Sequence, residues 1–347
     1  MNIGGQTDRL VMLFGGGYDE AQDTAGTSVI TDSVGNLVYI ADALTGEHLW
    51  NSRDNTVVQA ASPAGSLTDM NSVPSEVSAL DLDADGLVDT FYSSDTRAQV
   101  FRFDVDNENE VITGGKIADL QNVSDITNNR RFYYKPDTAL IRTTNETFIS
   151  VSIGSGYRAH PLDKNIDDNF YMIKDVGGLS ATFDMLVSRG DLVDITSLVG
   201  DTDGDGTSDA AAEIETRGAR GWYLTFSTDG EKVIERSLTF NNAVLFTTYL
   251  PPGSGTNVCQ AVTGNSRLYA VKILDGNPYV DNLADGTLDE KDRYVDLTSP
   301  GISPPPQPLF NDEIRLCVGT ECDLGDLLPP TPDGIMGIRW RKDPDAG

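Results

Sequence analysis

The chain has 347 residues, of which 39% are apolar, so it is long enough to bury a core and is not a disordered polypeptide. Its 25 lysines and arginines stand against 54 aspartates and glutamates, and the formal charge of −29 repels phosphate backbones and anionic lipid heads, which argues against nucleic acid as a partner. No apolar run reaches the ~18 residues of a bilayer span, so membrane insertion is not expected either, and residues 1–10 lack the basic and apolar regions of a secretory signal.

In chain order, the first element is the apolar run RLVMLFGGGYD, read as a core strand. It lies so close to residue 1 that the chain is expected to be part of a longer exported protein. Residues 35–50, GNLVYIADALTGEHLW, alternate apolar and polar side chains on either side of a Thr45-Gly46 turn, which is a hairpin signature. Related strand–turn units follow at 98–111, 169–175, 220–236 and 267–278, each with an aromatic residue early in the strand and Gly or Asp in the turn. Their spacing is irregular. Repeated antiparallel hairpins of this kind predict an all-β protein, a modified β-propeller whose blades carry insertions of unequal length. A β-sandwich is the alternative. The stretch 183–199 is the best helix candidate. Residues 300–308, PGISPPPQP, must be extended, because consecutive prolines can neither continue a helix nor donate to a sheet. They open a Pro-rich segment, 300–335, ahead of a predicted closing strand at 336–343. One domain over 1–347 is expected.

Aspartates cluster in this chain. In LDLDADGLVD the side chains of Asp81, Asp83, Asp85 and Asp89 fill positions 1, 3, 5 and 9 of an EF-hand-like calcium loop, the Leu87 carbonyl fills position 7, and Gly86 stands at the sharp turn. Position 12, where a bidentate Glu is expected, is Tyr92; Asp95 or water is left to complete the set. The residues after the loop read as a strand rather than the usual exiting helix. Asp201, Asp203, Asp205, Thr207 and Asp209 repeat the spacing with Gly206 at position 6 and Ala212 at position 12. A third, weaker loop carries Asp281, Asp285, Asp289 and Asp292, with Leu283 in a ligand position. Oxygen ligands without imidazole or thiolate favour Ca2+ over zinc or copper, at the ~10⁻⁴–10⁻³ M affinity of extracellular modules. Each loop also has a plain reading as a solvated acidic turn.

For catalysis the sequence offers little. The two histidines, His48 and His160, read as packed or exposed side chains, and no nucleophile elbow, HExxH helix or P-loop occurs. The expectation is therefore no enzyme, with a secreted propeller enzyme of the quinoprotein dehydrogenase type as the alternative. Arg189, Gly190 and Asp191 form an integrin-recognition tripeptide if displayed on an exposed loop, and a chance RGD otherwise. Cys259, Cys317 and Cys322 allow one disulfide in an oxidising compartment, and the sequence does not choose the pairing.

Several stretches, in order along the chain, resemble the C-terminal domain of the PilY/PilC family of type IV pilus biogenesis and tip-associated adhesin proteins. They are VMLFGGGYDEAQD (11–23), GNLVYIADALTGEHLW (35–50), VPSEVSALDLDADGLVDTFYSSD (73–95), VFRFDV (100–105), SIGSGYRAHPLD (152–163) with NFYMIKD, ARGWYLTF (219–226) and VLFTTYLPP (244–252). The resemblance implies a modified propeller displayed at the pilus tip or outer surface, with minor pilins and host-cell or surface receptors as partners. It also implies calcium-dependent support of pilus extension and twitching motility. The family's calcium loop falls on Asp81, Asp83, Asp85, Leu87 and Asp89. The family's signal peptide and large N-terminal adhesive region have no counterpart in these 347 residues.

Overall fold

The computed structural model describes residues 1–54, 57–121, 129–253, 263–310, 314–322, 324 and 327. Strand makes up 37% of the chain and helix 8%, which settles the all-β class. Cys259 and the predicted closing strand at 336–343 lie outside the described residues.

Among the described residues five sheets follow one another along the chain. The first joins Val11–Gly15, Val38–Asp42 and His48–Asn51, all antiparallel. Its middle hairpin is the one predicted at 35–50, and Asp42 shapes the turn by accepting hydrogen bonds from the Leu44 and Thr45 amides. Next comes a meander of Ser78–Leu80, Thr90–Ser94, Gln99–Asp106 and Val111–Asp119. The third sheet runs Asp137–Arg142, Thr147–Gly154, Asn169–Asp175, then Gly221–Thr225. The fourth is Leu238–Phe240, Ala243–Leu250, Asn265–Lys272 and Tyr294–Asp296. The last is Gln307–Phe310, Ile314–Val318 and Glu321–Cys322, whose final hairpin is closed by the Cys317–Cys322 disulfide.

The blade-like meanders match expectation, but the ring does not: no closed propeller forms among the described residues. Short inserted strands make the sheets unequal. Val57–Gln59 and Val187–Ser188 add parallel strands to Val111–Asp119, and Val193–Asp194 adds one to Gly221–Thr225, so the sheets range from three to six strands. Two further expectations are corrected. The opening strand Val11–Gly15 lies at a sheet edge and is core on one face only: Val11 and Leu13 pack against the first core cluster while Met12 and Phe14 are exposed. The stretch 183–199 is not an α-helix; it holds two short strands around a single 3-10 turn, because Val187 and Val193 find sheet edges to pair with.

Cores form between successive sheets. Trp50 meets Phe91 and Phe103 edge-on between the first two sheets. Tyr92, Val100, Val151 and Tyr171 fill the space between the second and third. Between the third and fourth, Phe170, Phe246 and Tyr269 stack in nearly parallel planes against Trp222. Leu245 and Leu268 meet Leu316 and Val318 at the last junction. Aromatic pairs stacked this way add to their area burial, which accounts for the aromatic residue early in each strand.

A charged cluster lies inside this apolar stack. The Arg102 guanidinium, fully buried, donates to both oxygens of Asp175 at 2.7 and 2.9 Å and lies 3.0 Å from Asp104. It also donates to the Thr182 carbonyl and covers the Phe183 ring. Tyr92 adds its hydroxyl to Asp175 at 2.8 Å, and Thr90 donates to Asp104. The second and third sheets are thus joined by a charge pair with nearly every polar atom satisfied, the condition under which a buried ion pair is tolerated.

Burial raises several carboxyls, among them Asp95 to about 7 and Asp104 and Asp168 to about 6. Raised carboxyls contribute stability that is fully present below the unfolded pKa near 4 and is lost as pH climbs through 6–7. Others are lowered, such as Asp42 by the Arg9 side chain and Asp19 by backbone amides, and their contribution disappears as pH falls below about 4. In chelator, the thermal midpoint should therefore pass through a maximum at about pH 4 and be lower at pH 8. Calorimetric scans from pH 3 to 8 check this; a midpoint that rises steadily to pH 8 contradicts it.

Candidate metal centre

The loop 81–89 links Ser78–Leu80 to Thr90–Ser94 in the second sheet. Asp81 organises the coil: its carboxylate accepts from the Ala84 amide at 2.7 Å and from the Gly86 amide at 2.9 Å. Asp83 accepts from Asp85 N–H, Asp85 from Leu87 N–H, and Asp89 closes the loop by accepting from Leu82 N–H at 2.6 Å. Two residues have left-handed backbones, Ala84 at φ 65° and Gly86 at φ 90°. The second of these is why glycine stands at position 6. The result gathers Asp81, Asp83 and Asp89 so that one carboxylate oxygen from each lies within 4.8 Å of the others. Like charges held this close repel, and a cation relieves that. Asp85 stays at the rim on its own turn hydrogen bond.

The loop 201–209 repeats the coil almost bond for bond. Asp201 accepts from Gly204 at 2.7 Å and Gly206 at 2.8 Å; Asp203 accepts from Asp205 and Asp205 from Thr207. Gly204 and Gly206 take φ 77° and 90°. Here the cluster is Asp201, Asp203 and Asp205, while Asp209 is engaged by the Thr202 amide and hydroxyl. The amide of Gly206 is the main cause of the lowered Asp201 pKa, so that carboxylate is ionised at neutral pH.

The third loop shows what the coil looks like with one ligand missing. Asp281 accepts from the Asp285 and Gly286 amides, and Ala284 and Gly286 are again left-handed. Leu283 leaves position 3 without a carboxylate. Asp292 is buried and accepts from the amides of Asn282, Leu283 and Asp289. Among the described residues no three-carboxylate cluster forms there, and Asp289 is an N-cap for the turn Glu290–Arg293.

The surroundings of each loop differ. Tyr92, at position 12 of the first loop, points its hydroxyl to Asp175 and is fully buried, so it never approaches the acidic coil. Asp95 does not reach the coil either: it lies beyond the strand Thr90–Ser94 and accepts from the Asn71, Arg97 and Gln99 amides. The sixth ligand of an EF-hand is replaced by an anchor in the Arg102 cluster. Beside the loop opens a cleft of about 490 Å³ with Asp83, Asp89, Asp104 and Asp106 on its walls. The second loop has the exiting helix the first one lacks. Ser208 caps Asp209–Arg217 by accepting from Ala211 N–H, Gly218 ends it in a left-handed conformation, and Ala210 and Ile214 pack into the core. That helix was readable from Ser208, the alanine run and Gly218.

A second buried arginine ties the later loops together. Arg293, next to Asp292, donates to the carbonyls of Ile195, Thr196 and Leu198, which lead into the loop 201–209, and to Gly276. Gly200 N–H bonds Asn277 at 2.9 Å and the Ser208 hydroxyl bonds Asp275 at 2.6 Å, which fixes both ends of the second loop.

The other sequence candidates are structural in appearance. His160 bonds the Asp23 carbonyl and lies against Tyr157, and His48 lies at the edge of Tyr39. Arg189, Gly190 and Asp191 form a 3-10 turn rather than an extended loop. Asp191 accepts from the Ser188 amide and hydroxyl, Arg189 lies over the Tyr223 ring, and Arg217 bonds the Gly190 carbonyl.

No family model matches the sequence, and no curated protein does. A solved structure does: the C-terminal domain of PilY1 from Pseudomonas aeruginosa, at a TM-score of 0.56 and 17% identity, over 84% of this chain and 66% of that one. The architecture is a PilY1 C-terminal-like fold, and the chain spans just under two thirds of the solved chain.

The loop geometry predicts opposite signs for one substitution at two sites. Ala84→Gly relieves a left-handed alanine and should be neutral or stabilising by up to about 1 kcal/mol. Ala212→Gly, inside the helix, should cost about 1 kcal/mol. Urea unfolding of both variants decides this, and equal losses contradict the assigned coil.

Proposed function

We propose that the chain is a non-catalytic, calcium-binding module of a type IV pilus protein, acting at the pilus tip or outer surface in pilus biogenesis and attachment. The single observation that carries this reading is the Asp81, Asp83 and Asp89 cluster seated between two strands of a PilY1 C-terminal-like fold. Clustered carboxylates on a tight coil, with no histidine or cysteine among them, suit a hard cation, and calcium tolerates the incomplete, water-completed sphere left by Tyr92. Minor pilins and surface receptors are the partners this reading implies. For an adhesive role of Arg189-Gly190-Asp191, the turn has to open, because the Asp191 carboxylate is held by Ser188.

Within this reading, calcium acts as an electrostatic clamp. With the cation, the carboxylates of the first loop converge; without it, their repulsion loosens the coil while the Thr90 and Tyr92 anchors keep the exit strand in place. The switch is local: it changes the charge and shape of the acidic cleft beside the loop and leaves the sheet intact.

Titration calorimetry should find calcium binding at roughly 10⁻⁴–10⁻³ M, and Asp83→Ala/Asp89→Ala should abolish the heat of the first site without lowering the cooperativity of unfolding. In the encoding organism, the same double variant should lose surface pili or twitching that the wild-type chain restores. Undiminished calcium binding in the variant removes the first loop as the site; calcium binding with no pilus phenotype removes the pilus assignment and leaves the metal site standing.

A further inference from the structure

A cleft of about 480 Å³ lies where the fold converges, and its lining follows a rule. The second, third, fourth and fifth sheets each have an edge strand at the start of their antiparallel meander: Ser78–Leu80, Asp137–Arg142, Leu238–Phe240 and Gln307–Phe310. Those edges meet. Ser78 and Thr138 share a hydroxyl hydrogen bond at 2.8 Å, and the Thr239 amide donates to Asp137. The cleft is lined by the residues that lead into these strands, Glu76, Lys135 and Arg236 each two residues before one, and by Pro305 and Gln307 at the last. The extended Pro-rich segment thereby supplies one wall.

The chemistry of the cleft runs against that of the chain. The chain carries −29, yet the lining holds Lys135, Arg158 and Arg236 against Glu76 and Glu235, a surplus of cations. These cations are loosely held. Lys135 and Arg236 share Glu76 at 3.9 and 3.6 Å, beyond direct hydrogen-bond distance, and Arg158 lies over the Tyr134 ring at 5.4 Å. Two hydroxyls in the lining, Ser75 Oγ and Tyr134 Oη, are shielded from solvent and lack a hydrogen-bond partner. Buried polar atoms without partners are uncommon in folded proteins. Here they sit beside cations with donor capacity to spare.

We propose that this convergence cleft binds an acidic peptide segment. Its carboxylate is received by Arg158, Lys135 and Arg236, with the Tyr134 and Ser75 hydroxyls completing its hydrogen bonds. Glu76 and Glu235 accept from the peptide amides, and Tyr133, Tyr134, Pro74 and Pro305 cover its apolar portion. Both signs of charge beside aromatic and proline surface favour a peptide, which brings a carboxylate and N–H donors together, over a simple anion. The volume suits two or three residues. The inference stands on this cleft alone and does not depend on calcium.

The test uses acetyl-Ala-Glu-Tyr-amide and its glutamine counterpart as probes, titrated into the intact chain at low salt in chelator and followed by ligand-observed NMR. The glutamate peptide should bind about tenfold or more tightly than the glutamine peptide, and salt should weaken it. Arg158→Ala/Arg236→Ala, both exposed positions, should lose that preference with an unchanged thermal midpoint, as Arg53→Ala should not. Tyr134→Phe, which removes only the hydroxyl, should weaken glutamate binding severalfold. Equal binding of the two peptides, no binding of either, retention of the preference in the double variant, or displacement of the peptide by galacturonate at a lower concentration than free glutamate overturns the proposal.

Discussion

A single buried guanidinium holds the first acidic loop in place. Arg102 needs two carboxylates to be tolerable inside the protein, and it takes Asp104 from its own strand and Asp175 from the next sheet. Satisfying those carboxylates draws in Thr90 and Tyr92, the first and third residues after the loop 81–89. The exit strand of the loop is therefore fixed by charge pairing in the core, whatever happens at the acidic surface. Breaking such a pair is far more costly than never having made it, so the anchor is stiff and the loop is free to respond. Arg293 repeats the device at the second and third loops, gripping the carbonyls that lead into 201–209.

The three acidic coils form a natural comparison. In all of them positions 4 and 6 are left-handed and the first aspartate accepts from the position-6 amide, yet three-carboxylate clusters form in the first two only. The coil is thus a property of the Asp-x-x-x-x-Gly frame, in which the first aspartate caps the amide of the glycine. Gathering three carboxylates is a separate property, and it goes with an aspartate at position 3. In the third loop, Leu283 takes that position and the remaining carboxylates turn to capping amides. An acidic, glycine-bearing loop and a metal loop therefore look nearly alike in sequence.

Much of this was legible in the residues, and the failures share a cause. Local signals were sound: the 35–50 hairpin and the strands at 90–94, 99–106 and 169–175 all depend on alternation that neighbours do not overrule. What alternation cannot show is which sheet edge a strand will find. The stretch 183–199 reads as a helix by its apolar spacing and becomes short strands because edges at Val111–Asp119 and Gly221–Thr225 are open to it. Tyr92 looked like a missing ligand, whereas its partner Asp175 is 83 residues away, a distance across which spacing carries no information. The converging cleft was likewise out of reach, because its residues come from five separate segments that only the sheet stacking brings together.

The account rests on cation-ordered loops held by rigid, cation-independent anchors. Amide hydrogen exchange with and without calcium tests that division within one molecule. The account predicts that calcium slows exchange at Ala84, Gly86, Gly204 and Gly206, leaves Ala284 and Gly286 unchanged, and does not alter the slow amides of Thr90–Ser94. Equal protection of all three loops, or of none, contradicts it.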